Sequence, residues 1–140
     1  MVDASCHCGA VHLTVAAEPE TVTECSCSIC RRYGVLWAYY PPSQVTLSPP
    51  AGATDIYMWD DRSREFHRCK VCGCMTHMAA ADIGHVFGVN ARMMPALDPA
   101  GVTVIQMDNS HSGWFWTKSD QPVRQSHHPH MPMPSAEDWR

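Results

Sequence analysis

The sequence predicts a mainly β fold, a small sandwich or barrel-like domain with only short helical turns. Short apolar runs alternate with polar residues, turn segments rich in Pro and Gly divide these runs, and no segment shows the period of a long amphipathic helix. Eight cysteines occur in close groups, which adds the expectation that metal ions staple the strands together.

Eight segments have the composition and length of β-strands. In the first of them Val11, Leu13 and Val15 alternate with polar or small residues, so the three apolar side chains share one face. The intervening segments "PP", "SPPAGA" and "DPAG" are typical of turns. The predicted strands are residues 10–15, 35–40, 44–48, 55–59, 75–80, 85–91, 102–106 and 113–117.

The chain of 140 residues is expected to form one zinc-binding β domain over residues 1–117. Residues 118–140 are rich in Pro and His and show little periodicity, so they are predicted to be a disordered or loosely docked tail. Its apolar residues Met131, Met133 and Trp139 leave packing on a second copy, in a homodimer, as an open alternative.

Composition excludes some functional classes. The net charge of −4 without any block of like charges argues against electrostatic nucleic-acid binding. No apolar run approaches the roughly 20 residues of a membrane span, and the N-terminus lacks the pattern of a secretory signal. We therefore expect a cytoplasmic protein whose cysteines are reduced and bind metal, with four disulfides as the less favoured alternative.

Four cysteines form two similar pairs, each followed by glycine: Cys6 and Cys8 before Gly9, and Cys69 and Cys72 before Gly73. Glycine allows a sharp turn that brings backbone amides toward the sulfurs. Two such pairs together supply the four thiolates of a closed tetrahedral zinc site. Because the pairs are far apart in sequence, this zinc is expected to close a long loop and to contribute directly to folding.

The segment "CSCSICRRYG" carries a second group, Cys25, Cys27 and Cys30. Ser28 is predicted to N-cap a short helix that Gly34 ends, and the helix dipole with the following arginines would favour thiolate at Cys30. Three protein ligands with an exchangeable fourth position are typical of a catalytic zinc. The alternative is a closed zinc site whose fourth ligand is Cys74 or His77.

Four motifs together resemble the glutathione-dependent formaldehyde-activating enzyme family, which includes centromere protein V. They are "CHCGAV" at 6–11, "CSCSICRRYG" at 25–34, "FHRCKVCG" at 66–73 and "VNARMM" at 89–94. The resemblance implies a zinc-stapled β-tent of the kind also seen in methionine sulfoxide reductase B. It implies two zinc ions, a structural one on Cys6, Cys8, Cys69 and Cys72 and a catalytic one on Cys25, Cys27 and Cys30.

The activity that the resemblance implies is reversible addition of glutathione to formaldehyde, a carbon–sulfur lyase reaction in reverse that yields S-hydroxymethylglutathione. The partners would then be a small thiol and an aldehyde. Arg31 and Arg32 could bind anionic groups of the thiol by charge-assisted hydrogen bonds. Asn90 and Arg92, two apart on a predicted strand, would share a face that the family match makes a candidate pocket wall.

One departure from the family pattern concerns Cys74, where the family usually has Thr or Ser. This extra thiol leaves three functional hypotheses open. The first is a zinc carbon–sulfur lyase, the second is a thiol-redox protein that uses the group of Cys25, Cys27 and Cys30, and the third is a non-catalytic zinc module that binds a partner.

Overall fold

The computed structural model describes residues 1–59, 62–80, 86–98 and 100–107. These residues form ten strands in two sheets with almost no helix, so the prediction of a mainly β fold is confirmed. The strands are β1 Val2–Ser5, β2 His12–Val15, β3 Thr21–Cys25, β4 Trp37–Tyr39, β5 Val45–Ser48, β6 Thr54–Tyr57, β7 Arg64–Cys69, β8 Met75–Ala80, β9 Val86–Asn90 and β10 Thr103–Met107. One helix, α1 Cys30–Tyr33, and two 3₁₀ turns, Pro42–Gln44 and Ala91–Met93, complete the described elements.

The smaller sheet has three antiparallel strands in the order β1-β2-β5. The larger sheet has seven strands in the order β10-β3-β4-β9-β8-β7-β6. Its neighbours are antiparallel except for β10 and β3, which run parallel. Strand β10 follows β9 along the chain but lies beside β3 at the end of the described sheet, so no hairpin joins the parallel pair.

Apolar side chains fill two cores, one on each face of the larger sheet. Alternation along β4 sends Ala38 to one face and Trp37 to the other. The first core lies between the sheets, where Leu13 and Val15 of the small sheet pack with Ala38 and Val89. The second core covers the opposite face and comprises Cys25, Cys27, Ile29, Cys30, Val35, Trp37, Phe66, Met75, Met78, Ile105 and Met107.

Every predicted strand except residues 113–117, which lie outside the described residues, overlaps an observed strand. Three strands were not predicted: β1, β3 and β7. In β7 the polar residues Arg64, Glu65 and His67 mask the alternation, because both faces of this strand are partly covered. In β1 the only fully buried side chain is Ala4, which gives little apolar signal.

The short helix begins one residue later than predicted. Its N-cap residue is Ile29 and makes no side-chain capping bond, so the prediction of Ser28 as N-cap is wrong. The sulfur of Cys27 instead accepts the backbone N–H of Cys30 at 3.4 Å. Gly34 does end the helix, in the left-handed conformation with φ of 64°, as predicted. Within the described residues no helix has the length and apolar character of a membrane span.

A buried histidine on β8 gives the fold a defined pH sensitivity. His77 is 1% exposed and stacks on His67 with ring centroids 4.1 Å apart. The hydroxyl of Thr76 donates to the carbonyl of His67, so Nδ1 of His77 carries the proton in its 2.9 Å bond to Thr76 Oγ1. Burial, with a smaller contribution from His67, lowers the pKa of His77 from 6.5 to about 3.

We expect His77→Gln to weaken the acid sensitivity of folding. Below pH 6.5 the unfolded chain binds a proton at His77 that the folded protein does not bind. The free energy of unfolding therefore falls as pH falls through 6.5 toward about 3, and His77 contributes about 1.4 kcal/mol per pH unit to that slope. Urea denaturation across this range measures the slope. The exposed His12 supplies the control His12→Gln, and equal slopes in all three proteins would contradict this role.

Candidate metal centres

The first cysteine group joins the turn between β1 and β2 to the turn between β7 and β8. The two turns are built alike, because Gly9 N–H donates to Cys6 O at 3.1 Å and Gly73 N–H donates to Cys69 O at 2.9 Å. Both glycines have positive φ, 83° and 75°, which a residue with a side chain rarely adopts. The glycine after each cysteine pair is therefore what allows the chain to turn there.

The four sulfurs of Cys6, Cys8, Cys69 and Cys72 all lie within 4.8 Å of one another. Cys8 Sγ is 3.6 Å from both Cys6 Sγ and Cys69 Sγ. A disulfide would require about 2.05 Å. Ligands of a tetrahedral zinc with Zn–S of about 2.3 Å are separated by about 3.8 Å. The spacing thus fits four thiolates around one ion and excludes disulfide bonds between these pairs.

Backbone amides favour thiolates in this group. Val11 N–H donates to Cys6 Sγ at 3.3 Å, and Val71 N–H donates to Cys69 Sγ at 3.4 Å. The backbone N–H groups of Cys74 and Cys8 lower the pKa of Cys72 to about 6. The pKa of Cys69 is lowered in the same way by backbone amides of its own turn. Metal binds the thiolate form, so this donor set is suited to a soft divalent ion.

The second group, Cys25, Cys27 and Cys30, comes from the end of β3, the following loop and the start of α1. All three residues are buried and their sulfurs lie within 4.8 Å of one another. Each sulfur accepts a hydrogen bond: Cys27 N–H donates to Cys25 Sγ, Cys30 N–H to Cys27 Sγ, and the indole Nε1–H of Trp37 to Cys30 Sγ, at 3.4, 3.4 and 3.3 Å. The three sulfurs therefore converge in an environment that stabilises negative charge.

The three thiols share their protons unequally. Hydrogen bonds from Cys25 and Cys30 lower the pKa of Cys27 to about 3, although burial acts in the other direction. The pKa of Cys25 is raised, because its own thiol donates within the group and because it is buried. These shifts describe Cys27 as a thiolate that accepts hydrogen bonds from the thiols of Cys25 and Cys30. A bound cation would replace the protons of these two thiols.

The structure places neither proposed fourth ligand at this group. Among the described residues, the set of convergent ligand atoms contains only the three cysteines. Cys74 packs instead against the first core, and its thiol donates to Met75 O at 3.5 Å. Burial raises the pKa of Cys74, and the nearby Cys72, Cys6 and Cys69 add to this, which locates it beside the four-cysteine group. His77 is bonded to Thr76 and stacked on His67.

The two cysteine groups lie on opposite faces of the larger sheet. Cys6 and Cys69 belong to the core between the sheets, and Cys25, Cys27 and Cys30 belong to the core on the other face. A layer of paired strands therefore separates the two groups, so a substitution in one group does not directly alter the contacts of the other.

Three arginines surround the helix that carries Cys30. Arg31 and Arg32 are exposed on α1, and Arg32 Nη1 donates to Ser28 O at 2.7 Å. Arg92 is also exposed, and its Nε donates to Gly34 O at 2.7 Å, so it reaches the C-terminal end of the same helix. The sequence predicted that Arg31 and Arg32 lie together. It did not predict that Arg92 joins them, because that depends on its contact with Gly34, which is distant in sequence.

Asn90 and Arg92 do not share a face, contrary to expectation. Strand β9 ends at Asn90, and the 3₁₀ turn Ala91–Met93 breaks the two-residue period on which that expectation depended. Asn90 is 6% exposed; its Nδ2 donates to Met75 O at 2.8 Å and its Oδ1 accepts from Arg92 N–H. These contacts give Asn90 a clear role in joining β9 to β8 and in shaping the turn that directs Arg92 outward.

Sequence reasoning missed two neighbours of the three-cysteine group. Trp37 bonds to Cys30, and Tyr39 lies on the same face of β4, where burial and then the charge of Cys30 raise its pKa well above the ordinary value. The sequence signal for these two neighbours was the spacing of Trp37 and Tyr39, two apart on a strand. This spacing indicated that the two side chains share a face of the sheet, but it did not indicate which face. Arg64 is also 1% exposed on the face of Phe66, but β7 was not recognised as a strand.

Comparison with known proteins matches residues 1–104 to the family described as glutathione-dependent formaldehyde-activating enzyme. A search of solved structures finds a crystal structure of a Rhodobacter sphaeroides protein, a structural genomics target, with a TM-score of 0.62 and 27% sequence identity. That similarity covers 73% of this chain and 97% of the other chain. The family match includes every member of both cysteine groups.

Proposed function

The chain belongs to the glutathione-dependent formaldehyde-activating enzyme family, and we propose that it is a zinc-dependent, carbon–sulfur lyase-type enzyme. Its substrate would be a small thiol–aldehyde adduct such as S-hydroxymethylglutathione. The observation that carries this proposal is the convergence of three buried sulfurs, without a fourth convergent ligand among the described residues. A catalytic zinc site has this composition, whereas a purely structural one has four protein ligands.

We assign the structural zinc to Cys6, Cys8, Cys69 and Cys72, and the catalytic zinc to Cys25, Cys27 and Cys30. The spacing of the sulfurs and their amide donors fit both assignments. A zinc ion in the second group would supply a Lewis acid that lowers the pKa of an incoming thiol. The eight free cysteines are consistent with a reducing compartment such as the cytoplasm.

The chain's own residues would orient the substrate. Arg31, Arg32 and Arg92 place positive charge around α1, where they could bind the carboxylates of glutathione. Asn90 would act through Arg92, by fixing the turn that carries it. The pKa of Tyr39, ordinarily 10, is raised further by burial, so its side chain is a neutral phenol on this face.

The proposed reaction needs no oxidant. In the direction of synthesis the thiol sulfur adds to the aldehyde carbon, a carbon–sulfur bond forms, and the thiol proton ends on the former carbonyl oxygen. The reverse reaction releases the thiol and the aldehyde. We assign this chemistry to a β domain of residues 1–117, and we assign residues 118–140, which lie outside the described residues, to a Pro/His-rich tail.

Exchange-detected NMR of the full-length holoprotein tests the proposal. With glutathione and formaldehyde present, the exchange between free glutathione and S-hydroxymethylglutathione is expected to be faster than the uncatalysed rate. With 2-mercaptoethanol, which has no carboxylates for Arg31, Arg32 and Arg92 to bind, the protein is expected to accelerate the exchange less. Equal rates with and without protein would reject this function. One metal equivalent with a reversible disulfide would support the redox hypothesis, and two closed, inert metal sites would support a binding module.

A further inference from the structure

A cavity lined by both sheets lies outside the two cysteine groups. Its volume is about 160 Å³. Most of the wall is apolar, and Thr54 and His67 supply the polar side chains. The remaining lining residues are Val11, Leu47, Pro49, Pro50, Ala51, Gly52, Ala53 and Ile56. An apolar cavity of about 150 Å³ can hold a benzene-sized molecule, so the space suits a small ligand.

The cavity can be reached from solvent. Pro49, Pro50, Ala51 and Gly52 in the segment between β5 and β6 are all exposed. Ile56 is 49% exposed and is one of the few large apolar side chains in that state among the described residues. The rim is thus apolar and open, unlike a sealed packing defect within a core.

The polar part of the wall is held in place before any ligand arrives. Thr54 Oγ1 lies 2.7 Å from Nδ1 of His67, and Nε2 of the same ring lies 3.0 Å from Glu65 Oε2. The ring is also stacked on His77. Since these contacts restrain both the position and the rotation of the imidazole, Thr54 and His67 form a preorganised pair.

The hydrogen-bond pattern determines what this pair can accept. The Glu65 carboxylate only accepts, so Nε2 of His67 carries a proton towards it, and Nδ1 of the same ring shares one hydrogen bond with the Thr54 hydroxyl. The Thr54 oxygen keeps a lone pair for one further donor. A ligand suited to this site therefore offers a hydrogen-bond donor next to an apolar body.

We propose that this cavity is a binding site for a small neutral alcohol with an apolar body of about the size of benzene. The ligand hydroxyl donates to Thr54 Oγ1, and the apolar body contacts Leu47, Pro49 and Ile56. Anions are disfavoured by the Glu65 carboxylate and by the apolar wall. His67 projects from β7 on the opposite face from Phe66, which packs with the three-cysteine group, so the sheet separates this site from the proposed catalytic zinc.

Two isomeric probes, benzyl alcohol and anisole, test the proposal by NMR titration of the full-length holoprotein. Both have the same atoms, but only benzyl alcohol has a hydroxyl donor. Benzyl alcohol is expected to shift the methyl signals of Val11 and Leu47 and the ring signals of His67 in a saturable manner. Anisole is expected to bind about fivefold more weakly, as loss of one net hydrogen bond implies.

Thr54→Val removes the hydroxyl and preserves the shape of the side chain. The substitution is expected to weaken the binding of benzyl alcohol about fivefold and to leave the binding of anisole unchanged. Thr46→Val, on an exposed position of β5, is the matched control and should change neither affinity. Shifts that do not saturate, equal affinity for both probes, or unchanged benzyl alcohol binding in Thr54→Val would each overturn the proposal.

Discussion

Replacing Cys69 with serine is expected to abolish cooperative folding of the domain. Cys69 is 1% exposed and belongs to the core between the sheets. Its sulfur converges with those of Cys6 and Cys8 from the turn between β1 and β2, so these residues would hold the proposed zinc together. Structural zinc in small peptides contributes about 10–16 kcal/mol of binding free energy. The whole stability of a typical domain is only about 5–15 kcal/mol, so loss of this ion leaves little to hold the two sheets together.

Metal analysis, circular dichroism and urea denaturation check this expectation. The Cys69→Ser protein should lose its cooperative transition, and a strong chelator should have the same effect on the wild type. Cys74→Ser is the matched control, because Cys74 adjoins the same turn but is not one of the four convergent cysteines. Its thiol donates to Met75 O, and a serine hydroxyl can make the same bond. A Cys69→Ser protein that unfolds cooperatively at the wild-type urea concentration would show that the first group is not structural.

Cys27→Ala is expected to return the exchange of S-hydroxymethylglutathione to its uncatalysed rate without unfolding the protein. Cys27 contributes the central sulfur of the second group, since the other two thiols hydrogen-bond to it and lower its pKa to about 3. The variant should also lose one metal equivalent. The first group should keep its ion, because the larger sheet separates the two groups.

The fold of the variant must be measured in parallel. Loss of the sulfur also removes the acceptor for the N–H of Cys30, so the free energy of unfolding is expected to fall by about 1 kcal/mol. Cys74→Ala provides the comparison at a thiol outside the group and should retain both metal equivalents and the exchange activity. Catalysis that persists in Cys27→Ala after one metal equivalent is lost would remove the second group from the mechanism.

Local spacing accounts for what could be predicted. The pairs Cys6–Cys8 and Cys69–Cys72 are each fixed by a turn of a few residues with glycine after it, so their geometry follows from short-range chemistry. Gly34 as the end of α1 was predictable for the same reason. Ser28 failed as the N-cap because a sulfur, Cys27 Sγ, competes for the same amide, and standard capping preferences do not include that acceptor.

The environment of Cys74 and the contacts of Asn90 could not be predicted. Cys74 was a plausible fourth ligand of the three-cysteine group, and only its packing against the first core places it beside Cys72 and away from that group. Asn90 had the spacing of a pocket residue, but the 3₁₀ turn after it changes the direction of Arg92. Both outcomes depend on contacts between residues far apart in the chain.

The sequence by itself determined the β class, the composition of the two cysteine groups and the family, because alternation, turn chemistry and ligand spacing act over a few residues. The tertiary structure alone decided that the groups occupy opposite faces of one sheet, that Arg92 joins Arg31 and Arg32 around α1, and that Thr54 and His67 border a cavity. The order of the strands, and the face of the sheet on which each side chain lies, are set by long-range pairing such as that of β10 with β3. No local sequence pattern specifies which strand a given strand will pair with.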